Sequence, residues 1–204
     1  MSGGDRIVKS IIMSPESVRA TLDGRKTMAR RVVKGWYFKP CGGVVKAPYR
    51  PGDLLYVRET WCHFPETAPD GMGENIYYKA DQKNADEVER VIKYNGIKWR
   101  SPATMPRAAA RLFLRVKAVR VERLQEITEA DAIAEGIIRW TEAGPLHAHY
   151  LNARLGAWLN FPTAREAYAS WWDEMNARRG YPWDSNPCVF VYKFEREEEA
   201  GADG

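Results

Sequence analysis

The chain has 204 residues, 45% of them hydrophobic and 28% charged, with 16 Gly and 12 Pro. That composition supports a sizeable core interrupted by tight turns and excludes a disordered chain, a coiled coil and a collagen-like repeat. The net charge of +4 is uneven, because residues 195–204 carry five acids and one Arg and so leave +8 on residues 1–194; a basic body with 8 Trp and 10 Tyr suits nucleic acid or a nucleotide before an acidic protein or a membrane.

In chain order, residues 7–13 read as a short strand, and Ser14-Pro15 supplies an N-cap and a favourable first helical residue. Val18 and Leu22 share one face of the helix that follows, and Gly24 is placed to end it. β-Branched residues return over 26–33, and the Pro51-Gly52-Asp53 turn leads into a strand over 54–59. Residues 75–80 form another aromatic strand candidate, and 81–94 read as a polar insert. The clearest strand is 111–121, where Leu112, Leu114, Val116 and Ala118 form a core face against a cationic face, with a bulge or bend expected near 118. Thr128 and Gly136 bracket a short helix. Thr163-x-x-Glu166 opens a third helix that buries Ala167, Tyr168, Trp171, Trp172 and Met175. A strand over 189–194 precedes an acidic tail, 195–204, too polar to pack. Several strands between turns, with short helices set among them, predict an α+β fold built on a small, mostly antiparallel barrel with one longer helix near the C-terminus. Residues 1–194 read as one domain with an insert near 62–106.

Cys41, Cys62 and Cys188 are too few and too far apart for a disulfide framework or a Cys-x-x-Cys knuckle, and they suit a reducing interior. No segment approaches the ~20 apolar residues that a bilayer requires, so a cytoplasmic location with no membrane partner is expected. The sequence lacks a Walker loop, a dinucleotide fingerprint, a His-Glu-x-x-His helix and a nucleophile elbow. His147-x-His149 lies in a segment that reads as loop without an acid or thiol partner nearby, so neither a metal nor a cofactor is expected.

Two features carry charge in unusual places. In Asp23-Gly24-Arg25-Lys26-Thr27-Met28-Ala29-Arg30-Arg31, four cations follow a helix-ending Gly and lead into a strand. They complement the negative end of the helix or face water, or else they sit on rigid backbone as a phosphate or substrate site requires. Glu135 stands in the last turn of a helix, at its unfavourable end, four residues from Asp131. A surface Glu tolerates both small penalties; alternatively a cation from elsewhere offsets them, and if that cation is Lys26 the pair could do acid/base work.

Gly24-Arg25-Lys26-Thr27 with its following arginines, the Pro51-Gly52-Asp53 turn, residues 124–136 ending in Ala-Glu-Gly, and a last strand rich in Val and aromatics resemble an ASCH domain of the PUA-like superfamily. Arg58-Glu59-Thr60-Trp61, Trp99-Arg100-Ser101 and Met105-Pro106-Arg107 are similar to the longer phage and prophage members. The resemblance spans most of residues 7–194. It implies a small β-barrel whose basic cleft accepts RNA or a modified nucleoside, with hydrolysis of RNA or of acylated cytidine in some relatives. Carried over, the relatives' Lys matches Lys26 and their Glu matches Glu135. Their Thr matches Ala29, whose methyl group cannot attack a carbonyl. Thr27 is then the nearest hydroxyl, displaced by about 6.5 Å along a regular strand. Hydrolysis without a protein nucleophile would use a water activated by Glu135, or an RNA 2′-hydroxyl with Lys26 and the arginines stabilising the phosphorane. Arg25, Arg30, Arg31, Arg58, Arg100, Arg107 and Arg115 are the candidate phosphate contacts, and Trp61 and Trp99 the candidate stacking surfaces. The alternatives are a non-catalytic reader of RNA or modified DNA and a phage accessory protein that binds protein.

Overall fold

The structure is a computed structural model that describes residues 8–33, 46–63, 76–81, 90, 92–94, 96–140, 147–152 and 157–197. It is a mixed α and β protein in which local caps set the helices. Ser14 Oγ accepts from the Ser17 amide at 3.3 Å and opens α1 (Pro15–Leu22) behind strand β1 (Val8–Ile12). Gly24, at φ +74°, then turns the chain in the left-handed region that glycine adopts without a Cβ clash. Thr128 Oγ1 takes the Asp131 amide at the start of α2 (Glu129–Ala134), and Thr163 Oγ1 takes the Glu166 amide at the start of α3 (Ala164–Asn176), the longer helix expected near the C-terminus. Among the described residues no helix is long and apolar enough to cross a membrane.

The remaining strands are β2 (Met28–Val32), β3 (Leu54–Arg58), β4 (Trp61–His63), β5 (Ile76–Tyr78), β6 (Phe113–Arg123), β7 (Ile138–Trp140), β8 (His147–Asn152), β9 (Ala157–Phe161) and β10 (Cys188–Glu197). Five of them hydrogen-bond in the order β1-β3-β6-β10-β2, β4 pairs with β5, and β7-β8-β9 form a separate three-stranded sheet. β1 and β3 run parallel, whereas β10/β2, β4/β5, β7/β8 and β8/β9 are antiparallel.

By compactness the chain divides into two units, each discontinuous in sequence: residues 1–22, 54–114 and 196–204 in the first and 23–53 and 115–195 in the second. In the first unit, Trp61, Met105, Ala109, Ala110 and Phe113 form a cluster with Tyr56 and Tyr78 against it. In the second, α3 lays Ala167, Tyr168 and Trp172 onto Val189 and Val191 of β10 and onto Ala132 of α2. Each fully buried large side chain there contributes roughly 1.5–3 kcal/mol. Phe190 and Tyr192 are buried as well, so β10 is covered on both faces, which accounts for its unbroken apolar run.

Several expectations need revision. Ala118 is exposed and Phe113 buried, because the core face of β6 ends at Val116 and Phe113 packs on Trp61 instead of joining a cationic face. Trp171 and Met175 are only half-buried; within α3 it is Tyr168 and Trp172 that point into the core. His147 and His149 belong to strand β8, not to a loop. The last strand runs on through Glu197, three residues into the segment read as tail. Cys41 and most of the 81–94 insert lie outside the described residues, as does 198–204.

Candidate functional site

The site grows from the link between α1 and β2. The Thr27 amide donates to the Ala134 carbonyl at 2.8 Å, and the Thr27 carbonyl accepts from the Phe194 amide at 2.9 Å. Residues 26–27 are thereby clamped between the end of α2 and β10. Lys26, at that clamp, is the cation that meets Glu135: its Nζ donates to Glu135 Oε2 at 2.6 Å and to the Glu135 backbone carbonyl at 2.8 Å, across 109 residues of sequence. One ammonium therefore satisfies both the carboxylate and a terminal carbonyl of α2, which offsets the helix-end penalty, one of the two that made Glu135 conspicuous. Arg25 serves the same helix end, donating to the Gly136 carbonyl at 3.2 Å while pairing with Asp23 at 2.8 Å.

Arg30 carries the arrangement further along β2. Its guanidinium donates to Glu135 Oε1 at 3.1 Å, to Glu122 Oε1 at 2.6 Å and to Asp131 Oδ2 at 2.6 Å, and so bridges the like-charged Asp131 and Glu135. Arg120 pairs with Glu122 at 2.7 Å and also with Asp131. Three cations and three carboxylates thus form a network of zero net formal charge. Its centre is dry: the side chains of Lys26, Glu135 and Arg30 are 2%, 1% and 0% exposed. Burial pushes the Lys26 amine below the ordinary lysine value, against the opposing pull of Glu135. Burial would also lower Arg30, but Glu135, Glu122 and Asp131 carry it above the usual arginine value.

Two aromatic residues of α3 close over these cations. The Lys26 Nζ lies 5.6 Å from the Trp171 ring centroid, and the Arg30 guanidinium carbon lies 5.9 Å from that of Tyr168. Tyr168 is fully buried, and among the described residues its hydroxyl has no hydrogen-bond partner. Burial first, and Glu135 second, hold that phenol well above the usual tyrosine value. Sequence reasoning missed Tyr168, Trp171, Arg120 and Glu122. Opposite charges at 120 and 122, two apart on a strand and so on one face, were the available signal for the latter pair.

The other expected residues occupy simpler settings. Ala29 is fully buried and Thr27 half-buried. Arg31 is half-buried and donates to the Arg30 carbonyl at 3.0 Å, and Arg115 is half-buried and donates to the Gly52 carbonyl at 2.9 Å. In the first unit, Trp61 opens β4 and is 6% exposed, with the Arg100 guanidinium 5.1 Å from its ring. Trp99 is half-buried with the Lys79 ammonium 5.9 Å from its ring, Arg58 is half-buried, and Arg107 is exposed. The same unit holds a charged cluster that the sequence did not suggest. Glu59, 1% exposed, takes both arms of Arg111 at 2.9 and 3.1 Å, and Arg111 also pairs with Asp81 at 2.6 Å and lies 3.9 Å from the Tyr78 ring centroid. Burial lifts the Glu59 carboxyl above its ordinary value in spite of Arg111.

Among the described residues no three His, Cys, Asp or Glu side chains are grouped to hold a metal ion. Each Glu135 carboxylate oxygen already accepts one charged donor, and with side chains 2% and 1% exposed the Lys26–Glu135 pair meets almost no solvent. Comparison of the chain with protein-family models, with curated proteins and with solved structures returns no match.

Proposed function

We propose that this chain is an ASCH-type protein of the PUA-like superfamily, its main sheet part of a small barrel, and that it binds RNA or a modified nucleoside as a reader. The observation that carries this reading is the hydrogen-bonded meeting of Lys26 and Glu135, the two residues that the resemblance pairs, across 109 residues of sequence. Binding without acyl transfer follows from Ala29, which offers a buried methyl group where the hydrolytic relatives have a hydroxyl. The exposed cation Arg25, next to Lys26 in sequence, supplies charge for a phosphate backbone. The test is fluorescence anisotropy of a labelled single-stranded RNA across a salt series. Affinity is expected to fall steeply with salt and to weaken in Arg25→Ala; binding that ignores salt, or no binding, overturns the reading.

A second reading, hydrolysis of RNA or an acylated cytidine, draws on the depressed Lys26 amine, a state suited to proton transfer. It predicts turnover of a labelled RNA or of acetylcytidine that Lys26→Ala and Glu135→Ala both abolish. No turnover by the native chain removes it.

A further inference from the structure

Arg111, just ahead of β6 in the first unit, holds two carboxylates of opposite character. On the inner side its Nε and Nη2 donate to the two oxygens of Glu59 at 2.9 and 3.1 Å, and the Glu59 side chain is 1% exposed. On the outer side its Nη1 donates to both oxygens of Asp81 at 2.7 and 2.6 Å, and the Asp81 side chain is 53% exposed. The guanidinium carbon lies 3.9 Å from the centroid of the Tyr78 ring, and Tyr78 is itself held by a 2.8 Å hydrogen bond from its hydroxyl to the Ala109 carbonyl. A buried ion pair adds little stability over an apolar pair of the same volume. What Glu59 and Tyr78 do provide is a guanidinium locked in one orientation with one nitrogen turned outward, the kind of support that a binding group requires.

We propose that the outer position on Arg111 is a recognition site for the carboxylate of a ligand, and that Asp81 fills it as a tethered stand-in. Asp81 stands at the end of a single 3-10 turn, Lys79–Asp81, and an ion pair so exposed is weak enough to exchange. Arg111, 26% exposed, is reached from the same side. The ligand class follows from the group now in place, which is planar, singly charged and bound through two oxygens. Glu59 and Arg111 cancel each other's charge, so a doubly charged phosphate would bring surplus negative charge beside a buried carboxylate. The surroundings favour an anion: the exposed Arg100 lies over the ring of Trp61, which is the cross-strand partner of Tyr78, and pairs with no carboxylate among the described residues. None of these residues belongs to the Lys26–Glu135 network, so the proposal goes beyond the reading above and does not depend on it.

The experiment follows the Arg111 Nε–H signal by NMR in the full chain, native and Asp81→Asn, at constant ionic strength. The probes are acetate, inorganic phosphate, and an alanine tripeptide with its C-terminus free or amidated; the other arginine Nε–H signals report non-specific effects. Asparagine keeps the shape of Asp81 and removes its charge, and the buried Glu59 contact stays intact. Acetate is expected to shift the Arg111 signal in both proteins and to bind Asp81→Asn about threefold tighter or more, because a tethered competitor has been removed. A free-acid tripeptide that binds more tightly than acetate, with no response to the amidated form, supports the proposal and assigns the carboxylate to a peptide terminus. Equal binding of acetate and the free-acid tripeptide supports it with a small acid as the source. An Arg111 signal that acetate does not move in Asp81→Asn overturns the proposal, as does equal acetate affinity in the two proteins. Phosphate that binds more tightly than acetate, or an amidated tripeptide that binds like the free acid, overturns it as well.

Discussion

Glu135→Gln keeps the shape of a side chain and removes one charge from the centre of the buried network. The native carboxylate accepts from Lys26 at 2.6 Å and from Arg30 at 3.1 Å. Arg30 retains Glu122 and Asp131, so the uncompensated charge falls on Lys26, which is left with neutral partners, the backbone carbonyl of residue 135 and the Trp171 ring among them. Removing one partner from a buried pair costs about 3–5 kcal/mol. At about 2–4 °C per kcal/mol for a chain of this size, the thermal midpoint falls by about 6–20 °C. The deficit also depends on pH. Burial depresses the folded-state pKa of Lys26 and Glu135 opposes that fall, so the variant depresses it further. Between the depressed value and the unfolded value of 10.5 the unfolded chain holds more protons, and stability rises with pH. The deficit is therefore greatest below the folded-state pKa and shrinks as pH climbs towards 10.5. Combining Lys26→Met with Glu135→Gln removes both charges and recovers much of the loss. Circular dichroism melts and guanidinium titrations between about pH 6 and 10 measure all three proteins, a range chosen to bracket the descent from the ordinary lysine value. A loss under about 1 kcal/mol, the size expected of an exposed ion pair, or a deficit that does not change with pH, would refute the reasoning.

The first unit makes a prediction of opposite sign. Burial raises the folded-state pKa of Glu59 above its ordinary 4.5, so the folded chain holds the extra proton in that window and the contribution of Glu59 to stability falls as pH rises through it. Glu59→Gln should flatten this part of the profile, which guanidinium unfolding at closely spaced pH values above 4.5 would reveal; an unaltered slope excludes Glu59 as its source. The thiol of Cys62 is buried and pushed up to about 11, so it should react with iodoacetamide far more slowly than half-buried Cys188. Mass spectrometry of a labelling time course decides the matter, and equal rates at the two positions would contradict the burial.

What could be read from sequence was what local chemistry dictates. Ser14, Thr128 and Thr163 announce their helices because a cap acts within three residues, and Gly24 ends its helix through its own backbone. For Glu135 the helix end left two readings, a tolerated surface carboxylate or a cation from elsewhere, and Lys26 was singled out by the resemblance; the structure shows the pair hydrogen-bonded. How deeply that pair is buried was not legible. Its cover comes from Tyr168 and Trp171, whose spacing on α3 reads simply as core. Nothing local marks Glu59 as buried, because its partner, Arg111, arrives from 52 residues away. The three-residue strands β4, β5 and β7 are too short for an alternating pattern to stand out.

The six residues of α2 are too few to hold a helix in water by themselves. Its first residue, Glu129, reaches out to accept the Ala164 and Arg165 amides at the head of α3, at 2.8 and 2.9 Å, while Lys26 and Arg25 grip the carbonyls just past its other end. Fastened at both extremities, this short helix has no way to fray alone. Its amide protons should exchange with solvent only when the surrounding unit opens as a whole, so that a segment weak in isolation becomes a reporter of cooperative unfolding.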